Sequence, residues 1–227
     1  MPFKGIYLIG LTGNIACGKS TVIAMLRERG AAVIDADRVT HDLQLPGEPV
    51  YQAIVATFGP AILATPGGPI DRRALGAIVF ADPAALRRLE QIVHPAVHAR
   101  ILSWLESLGA RDLGLEASEH WQAPSPKPQT PAVAVIDAIK LLESGWKPLC
   151  DAIWVVTCAA GQQVARLVAT RGMSEQEARG RIAAQPPQAD KIAQADVLID
   201  NSGSLDQTRR QVDAAWQAIA DRSTPPA

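Results

Sequence analysis

The chain has 227 residues, 48% of them apolar, and a formal charge of −1. That length suits one α/β domain with an elaboration, or two small domains, and is ample for a sizeable core. The near-neutral balance lacks the whole-chain basic signature of a nucleic-acid binder, and no apolar run approaches the ~20 residues of a membrane helix.

Met1-Pro2-Phe3-Lys4-Gly5 leads at once into the apolar run Ile6-Tyr7-Leu8-Ile9-Gly10-Leu11, so a first strand is expected there and no signal peptide. Next comes Gly13-Asn14-Ile15-Ala16-Cys17-Gly18-Lys19-Ser20, and then Thr21-Val22-Ile23-Ala24-Met25-Leu26-Arg27, which reads as a helix. Strand, G-x-x-x-x-G-K-[ST] and helix in that order form a phosphate-binding loop. Gly13 and Gly18 let the backbone fold tightly and aim its N–H groups at phosphate oxygens. A helix begun at Lys19 adds the partial positive charge of its N-terminus. Lys19 is placed to reach the β- and γ-phosphates, and the Ser20 hydroxyl to ligate Mg²⁺. The expected ATP-binding set is Gly13, Asn14, Ile15, Ala16, Cys17, Gly18, Lys19, Ser20 and Thr21.

Ala31-Ala32-Val33-Ile34 reads as a buried second strand ending in Asp35-Ala36-Asp37. One of these carboxylates is available to cap a helix beginning around Arg38, and the other to act as base toward an acceptor hydroxyl. From Arg38 to about Gly109 the pattern is almost wholly helical. Tyr51, Ile54, Val55 and Phe58 form one stripe, Asp71 caps the next helix, Asp82-Pro83 starts another, and Pro95 is expected to interrupt or kink it. So many helical residues between strands two and three suggest an inserted subdomain for an acceptor substrate. Residues 110–131 end Pro-rich and read as a loop that is extended or disordered, with His120 and Trp121 inside it.

Val133–Ile136 is a third strand ending at Asp137, the pattern in which a carboxylate holds Mg²⁺ directly or through water. Ile153–Thr157 and Val197–Ile199 are the fourth and fifth strands, and Leu205, Val212, Trp216 and Ile219 mark the buried stripe of a last helix. Five strands separated by helices predict a parallel sheet covered on both faces. Between the last two strands, Val164, Leu167 and Val168 share a helical face with Arg166 on another, and Ser174 with Glu177 forms a capping box. Arg166, Arg171, Arg179 and Arg181 there suggest a lid that brings charge to a γ-phosphate. Cys17, Cys150 and Cys158 show no metal-ligand spacing, as expected in a reducing cytoplasm.

These stretches, together with Pro46-Gly47, Ile70–Leu75, Val93-His94-Pro95, Leu141–Gly145, Arg171–Ser174, Arg181–Gln185 and Asp200-Asn201-Ser202-Gly203, resemble the dephospho-CoA kinase family over residues 5 to about 220. The resemblance implies an α/β P-loop NTPase fold of the nucleoside-monophosphate-kinase type. Its expected parts are a nucleotide-binding core (1–37, 132–160 and 190–227), a helical CoA-binding subdomain (38–109), the Pro-rich loop (110–131) and a lid (161–189). It implies transfer of the ATP γ-phosphate, with Mg²⁺, to the ribose 3′-hydroxyl of dephospho-CoA in a cytoplasmic monomer or weak homo-oligomer. Carried over to this chain, Asp37 would be the base, Lys19 and the loop amides would hold phosphates, and Arg166 would supply transition-state charge with Arg171 and Arg181 in the lid. Ser20 and Asp137 would face the metal, and Asp35, His94, Lys140 and Glu143 the acceptor substrate.

The chain departs from the family pattern in its longer Pro-rich loop, in Lys140 where the pattern is apolar, and in Cys17 where a small residue, usually Ser, stands. For Cys17 the alternatives are tolerance of any small side chain, or a lowered thiol pKa beside Lys19 and the helix N-terminus. Rival readings are another small-acceptor P-loop kinase, for a nucleotide or sugar, and a non-catalytic nucleotide-binding switch. The helical insertion and the Asp-Ala-Asp argue against the first. The second would need neither Asp37 nor the arginines.

Overall fold

Strand β1 (Ile6–Gly13) is buried at every position because it takes the centre of a five-stranded sheet. The structure is a computed structural model that describes residues 3, 5–112 and 132–223. The other strands are β2 (Ala32–Asp35), β3 (Ala132–Asp137), β4 (Ala152–Thr157) and β5 (Val197–Asp200), in the spatial order β2-β3-β1-β4-β5. β1 pairs in parallel with β3, from Ile6 opposite Ala132 to Leu11 opposite Asp137, and with β4, from Ile9 opposite Ala152 to Gly13 opposite Val156. β5 continues the parallel sheet beyond β4. The sheet agrees with the sequence expectation of five parallel strands, with one correction: β2 is only partly buried. Among the described residues it is an edge strand, with a neighbour on one side only.

Alternation along the strands decides what each sheet face meets. Tyr7, Ile9 and Leu11 point to one face with Val133, Val135, Trp154, Val156 and Ile199. There they join Val22, Met25 and Leu26 of helix α1 (Lys19–Glu28) and Val212 and Ile219 of the last helix, Leu205–Ser223. Of the expected stripe on that last helix, Leu205 is a correction: at the first helical position it is 64% exposed. The opposite face is approached closely at Gly10, where an added Cβ would lie 2.6 Å from Leu141 and 2.9 Å from the Cys150 sulfur.

Two carboxylates lock successive strands at their entry. Asp151, just before β4, donates its N–H to the Leu8 carbonyl at 2.8 Å while its side chain accepts from the Leu8 N–H at 2.9 Å. Asp196, just before β5, repeats this on Ile153 at 2.9 and 2.7 Å. Each clasp satisfies one strand residue's donor and acceptor and sets the register of the incoming strand.

The chain divides into two compact units, a core unit of Met1–Ile34 with Ser107–Ala227, and a helical unit of Asp35–Glu106. The helical unit holds α2 (Ala36–Asp42), α3 (Pro49–Phe58), α4 (Arg72–Ala81) and most of α5 (Pro83–Asp112). Asp71 caps α4 through bonds from the Arg73 and Ala74 N–H groups at 2.8 and 3.2 Å. Pro95 neither ends nor interrupts α5, which runs through it and on past Gly109 to Asp112. Proline removes one helical hydrogen bond there, but buried Val93, Val97, Ile101 and Leu105 hold both sides of it by packing, which outweighs the local break. The Pro-rich stretch with His120 and Trp121 lies outside the described residues.

The core unit completes its helices with α6 (Ala160–Arg171), α7 (Glu175–Ala183), α8 (Gln188–Ile192) and α9 (Leu205–Ser223). Gly172 ends α6 at φ 61°, and the capping box of Ser174 and Glu177 starts α7. No helix among the described residues is long and apolar enough to cross a membrane.

Candidate active site

The phosphate loop starts where β1 stops and ends where α1 begins at Lys19. Two left-handed residues make the reversal, Ala16 at φ 57° and Gly18 at φ 95°. For Ala16 that conformation costs about 1 kcal/mol, a strain that the surrounding contacts must hold. The two glycines of the motif answer to space as well. A Cβ on Gly13 would lie 2.5 Å from the Val156 carbonyl, and one on Gly18 would lie 1.8 Å from Asn201 Nδ2.

The loop walls a cleft of about 320 Å³, lined by Gly13 through Ser20 with Ile23, Asp137, Ile139, Arg166, Thr170 and Arg171. Lys19 reaches across it to form an ion pair with Asp137, the last residue of β3. Ser20 is exposed in the first turn of α1, while Thr21 lies outside the lining and donates its N–H to the Gly18 carbonyl at 3.0 Å. Arg166 approaches from α6 and donates to the carbonyls of Ala16 at 3.1 Å and Asn201 at 2.9 Å. Its guanidinium is therefore held against the loop.

The helix pair α6–α7 is docked on the tip of the loop. Val164, Leu167 and Ala178 form a small core to which Ile15 and Ala16 add their side chains. Val168, expected on that face, is instead 37% exposed. After α7, Gln185 accepts from the Ile15 N–H at 2.8 Å, and the Pro186 carbonyl accepts from Asn14 Nδ2 at 3.3 Å. Of the arginines, Arg166 and Arg171 line the cleft, whereas Arg181 is exposed outside it and Arg179 pairs with Glu175 at 3.5 Å.

Of the two alternatives for Cys17, the lowered thiol pKa is overturned. It is fully buried, and burial pushes the thiol up to about 11. The Lys19 backbone N–H and the Lys19 charge pull the other way without offsetting that desolvation.

The turn after β3 carries a contact that the sequence did not suggest. Lys191 of α8 is 3% exposed and donates from Nζ to the Ile139 carbonyl at 2.8 Å, which also accepts from the Thr12 hydroxyl at 3.1 Å. Desolvation lowers the Lys191 pKa, against an upward pull from Glu143. Lys140 and Glu143, in the same turn, are exposed and outside the cleft lining.

In the helical unit, Asp35 is the capping member of the Asp-Ala-Asp, accepting from the Arg38 N–H at 3.0 Å. Helix α2 therefore starts at Ala36, not near Arg38, and Asp37 falls in its first turn. Asp37 is exposed and has no hydrogen-bond or ion-pair partner among the described residues, so its lone pairs are open. His94 is exposed on α5.

The donor chemistry of the cleft suits a hard cation carried by phosphates. Two hydroxyls (Ser20 and Thr170) and one carboxylate (Asp137) line it, Thr170 donating its own to the Arg166 carbonyl at 2.7 Å, and no cluster of three or more His, Cys, Asp or Glu residues that could hold a metal occurs among the described residues. Mg²⁺ on a nucleotide keeps several waters and phosphate oxygens and takes only one or two protein ligands, so this set fits it.

Sequence reasoning missed Ile139, Thr170, Gln185, Lys191 and the anchoring role of Asn201. Gln185 and Asn201 had a signal, their places in the Arg181–Gln185 and Asp200–Gly203 stretches.

A sequence model of the dephospho-CoA kinase family matches residues 7–118 and 121–207. A dephospho-CoA kinase of Symbiobacterium thermophilum is 53% identical over 211 residues, 93% of this chain and 80% of that one. One from Geobacillus kaustophilus is 44% identical over 214 residues, 93% of this chain and 97% of that one. The solved structure of TT1252 from Thermus thermophilus is similar at a TM-score of 0.73 and 30% identity, covering 94% of this chain and 97% of its own. That of a dephospho-CoA kinase from Campylobacter jejuni, at 0.65 and 24% over 96% and 100%, shares the fold. With the phosphate loop, the carboxylate at the end of β3 and the match of the family model over most of its length, this chain belongs to the dephospho-CoA kinase family.

Proposed function

We propose that this chain transfers the γ-phosphoryl group of ATP to the ribose 3′-hydroxyl of dephospho-CoA, giving CoA and ADP. The observation that carries the reading is the cleft itself, a phosphate loop with Lys19, Asp137 and Arg166 converging on it, in a member of this family. Loop amides and the N-terminus of α1 hold the β- and γ-phosphates, and Lys19 neutralises them. Arg166, held against the loop by two carbonyls, supplies charge where it grows on the transferring group. Asp37 orients the 3′-hydroxyl and takes its proton as the oxygen attacks the γ-phosphorus and the bond to the β-phosphate bridging oxygen breaks. Asp35 is engaged as a cap, which leaves Asp37 as the open carboxylate of the pair. Mg²⁺, when bound, supplies charge neutralisation at the phosphate oxygens, with Ser20 and Asp137 as the protein groups that hold it. Asp35, His94, Lys140 and Glu143 are proposed on the acceptor side, in a helical CoA-binding subdomain and the turn after β3. The α6–α7 pair is proposed as the lid, and the setting as the cytoplasm.

The test is ADP release from Mg-ATP with dephospho-CoA, for the wild type and Asp37→Asn side by side. We expect release that depends on dephospho-CoA and falls by about 10² to 10⁴ in the variant while ATP binding persists, the range of a lost general base. Equal turnover in Asp37→Asn removes that residue as base. Release with a nucleotide or sugar acceptor, but not with dephospho-CoA, overturns the substrate.

A further inference from the structure

Asn201 follows β5 and is 4% exposed, yet all four of its polar groups are engaged. Its N–H donates to the Thr157 carbonyl at 2.8 Å, and its carbonyl accepts from Arg166 at 2.9 Å. Its Nδ2 donates to the Cys17 carbonyl at 2.9 Å, and its Oδ1 accepts from the Thr208 hydroxyl at 2.9 Å. Thr208, on α9, is fully buried, so the amide has its orientation set from behind. The Asn201 amide also occupies the space in which a Gly18 Cβ would stand.

A trans peptide points its carbonyl and the following N–H in opposite directions. Holding the Cys17 carbonyl toward Asn201 therefore turns the Gly18 N–H toward the opposite side, and that N–H donates to no described residue. The Ala16 carbonyl is held in the same way by Arg166, whose other nitrogen rests on Asn201. Asn201 thus joins the two carbonyl anchors of the loop.

We infer that Asn201 is a positioning residue for phosphate binding: through the Cys17 carbonyl it fixes the peptide orientation that presents the Gly18 amide to the nucleotide. The inference rests on the ATP reading of the cleft but not on the identity of the acceptor. Asn201→Asp keeps shape and the acceptor for Thr208, but sets a carboxylate oxygen against the Cys17 carbonyl. Its effect is therefore specific to phosphate, whereas a packing role alone would lower thermal stability and leave ligand affinities in their wild-type ratio.

The experiment measures binding of inorganic tripolyphosphate by calorimetry, and KM for ATP and for dephospho-CoA. In Asn201→Asp we expect the tripolyphosphate Kd and the ATP KM to rise by about tenfold or more while the dephospho-CoA KM stays within about twofold. Thr208→Val, which frees Oδ1 without changing shape, should show the same selective rise at about threefold. A folded Asn201→Asp that binds tripolyphosphate like the wild type, or that loses both substrates equally, overturns the inference. Should Asn201→Asp not fold, Thr208→Val decides in the same terms. A wild type that binds neither ATP nor tripolyphosphate would instead overturn the kinase reading itself.

Discussion

Cys17 stands in the middle of a loop built to attract anions, yet its thiol is the opposite of activated. Burial decides this, since the sulfur is closed off before the helix N-terminus or Lys19 can stabilise a thiolate. Cys150 is pushed up to about 12, chiefly by burial, and Cys158 upward for the same first reason. At pH 8 the native protein should therefore react slowly with a disulfide reagent at all three positions, and fully at all three in guanidinium. One fast native thiol that ATP protects would refute this. Stability has a sign here too. Between about pH 9, where an unfolded thiol loses its proton, and about 11, where Cys17 does, the unfolded chain binds fewer protons. Stability should fall as pH rises through that window, read as a lower urea midpoint at pH 10 than at pH 8. The loop itself was legible in the sequence because its eight residues are contiguous and each has a local reason. The state of Cys17 was not, because Cys17 is enclosed by segments far along the chain, among them Cys158 and Asn201.

Elements carry the register of the sheet, and the clasp at Asp151 shows how. Leu8 is fully buried, and its N–H has the Asp151 carboxylate as partner. Asp151→Ala should cost about 1 to 2 kcal/mol by stranding that donor, measured by urea unfolding followed by the fluorescence of buried Trp146 and Trp154. Asp151→Asn, which keeps an acceptor oxygen, should recover more than half of the loss. If the two variants unfold alike, the clasp contributes only packing. Caps were readable in the sequence at this scale, as at Asp71 and Ser174, because they depend on neighbours within a few residues. The interruption expected at Pro95 and the burial expected of β2 failed because both depend on packing and strand order, which no local window contains. Leu205 and Val168 fit a helical stripe by spacing, but an element's end or rim leaves such positions open.

At the scale of the whole molecule, the phosphate cleft is lined by residues of the core unit alone. ATP at a hundredfold its Kd should stabilise that unit by about 2.7 kcal/mol. Hydrogen exchange with ATP alone should show protection at residues 13–21, 166–171 and 200–202, leaving Asp35–Glu106 unchanged. Protection confined to the helical unit would place the nucleotide elsewhere. The anchor between Cys17 and Asn201 joins positions 184 residues apart, and this has a consequence for how the protein is made. A ribosome delivers the phosphate-binding motif whole, but its Asn201 brace only 184 residues after Cys17. Until β5 and α9 emerge, the nascent chain carries the motif without the side chain that aims it. Nucleotide capture therefore waits until residue 201 has been made, and a chain arrested before it keeps the signature of the family without its grip on phosphate.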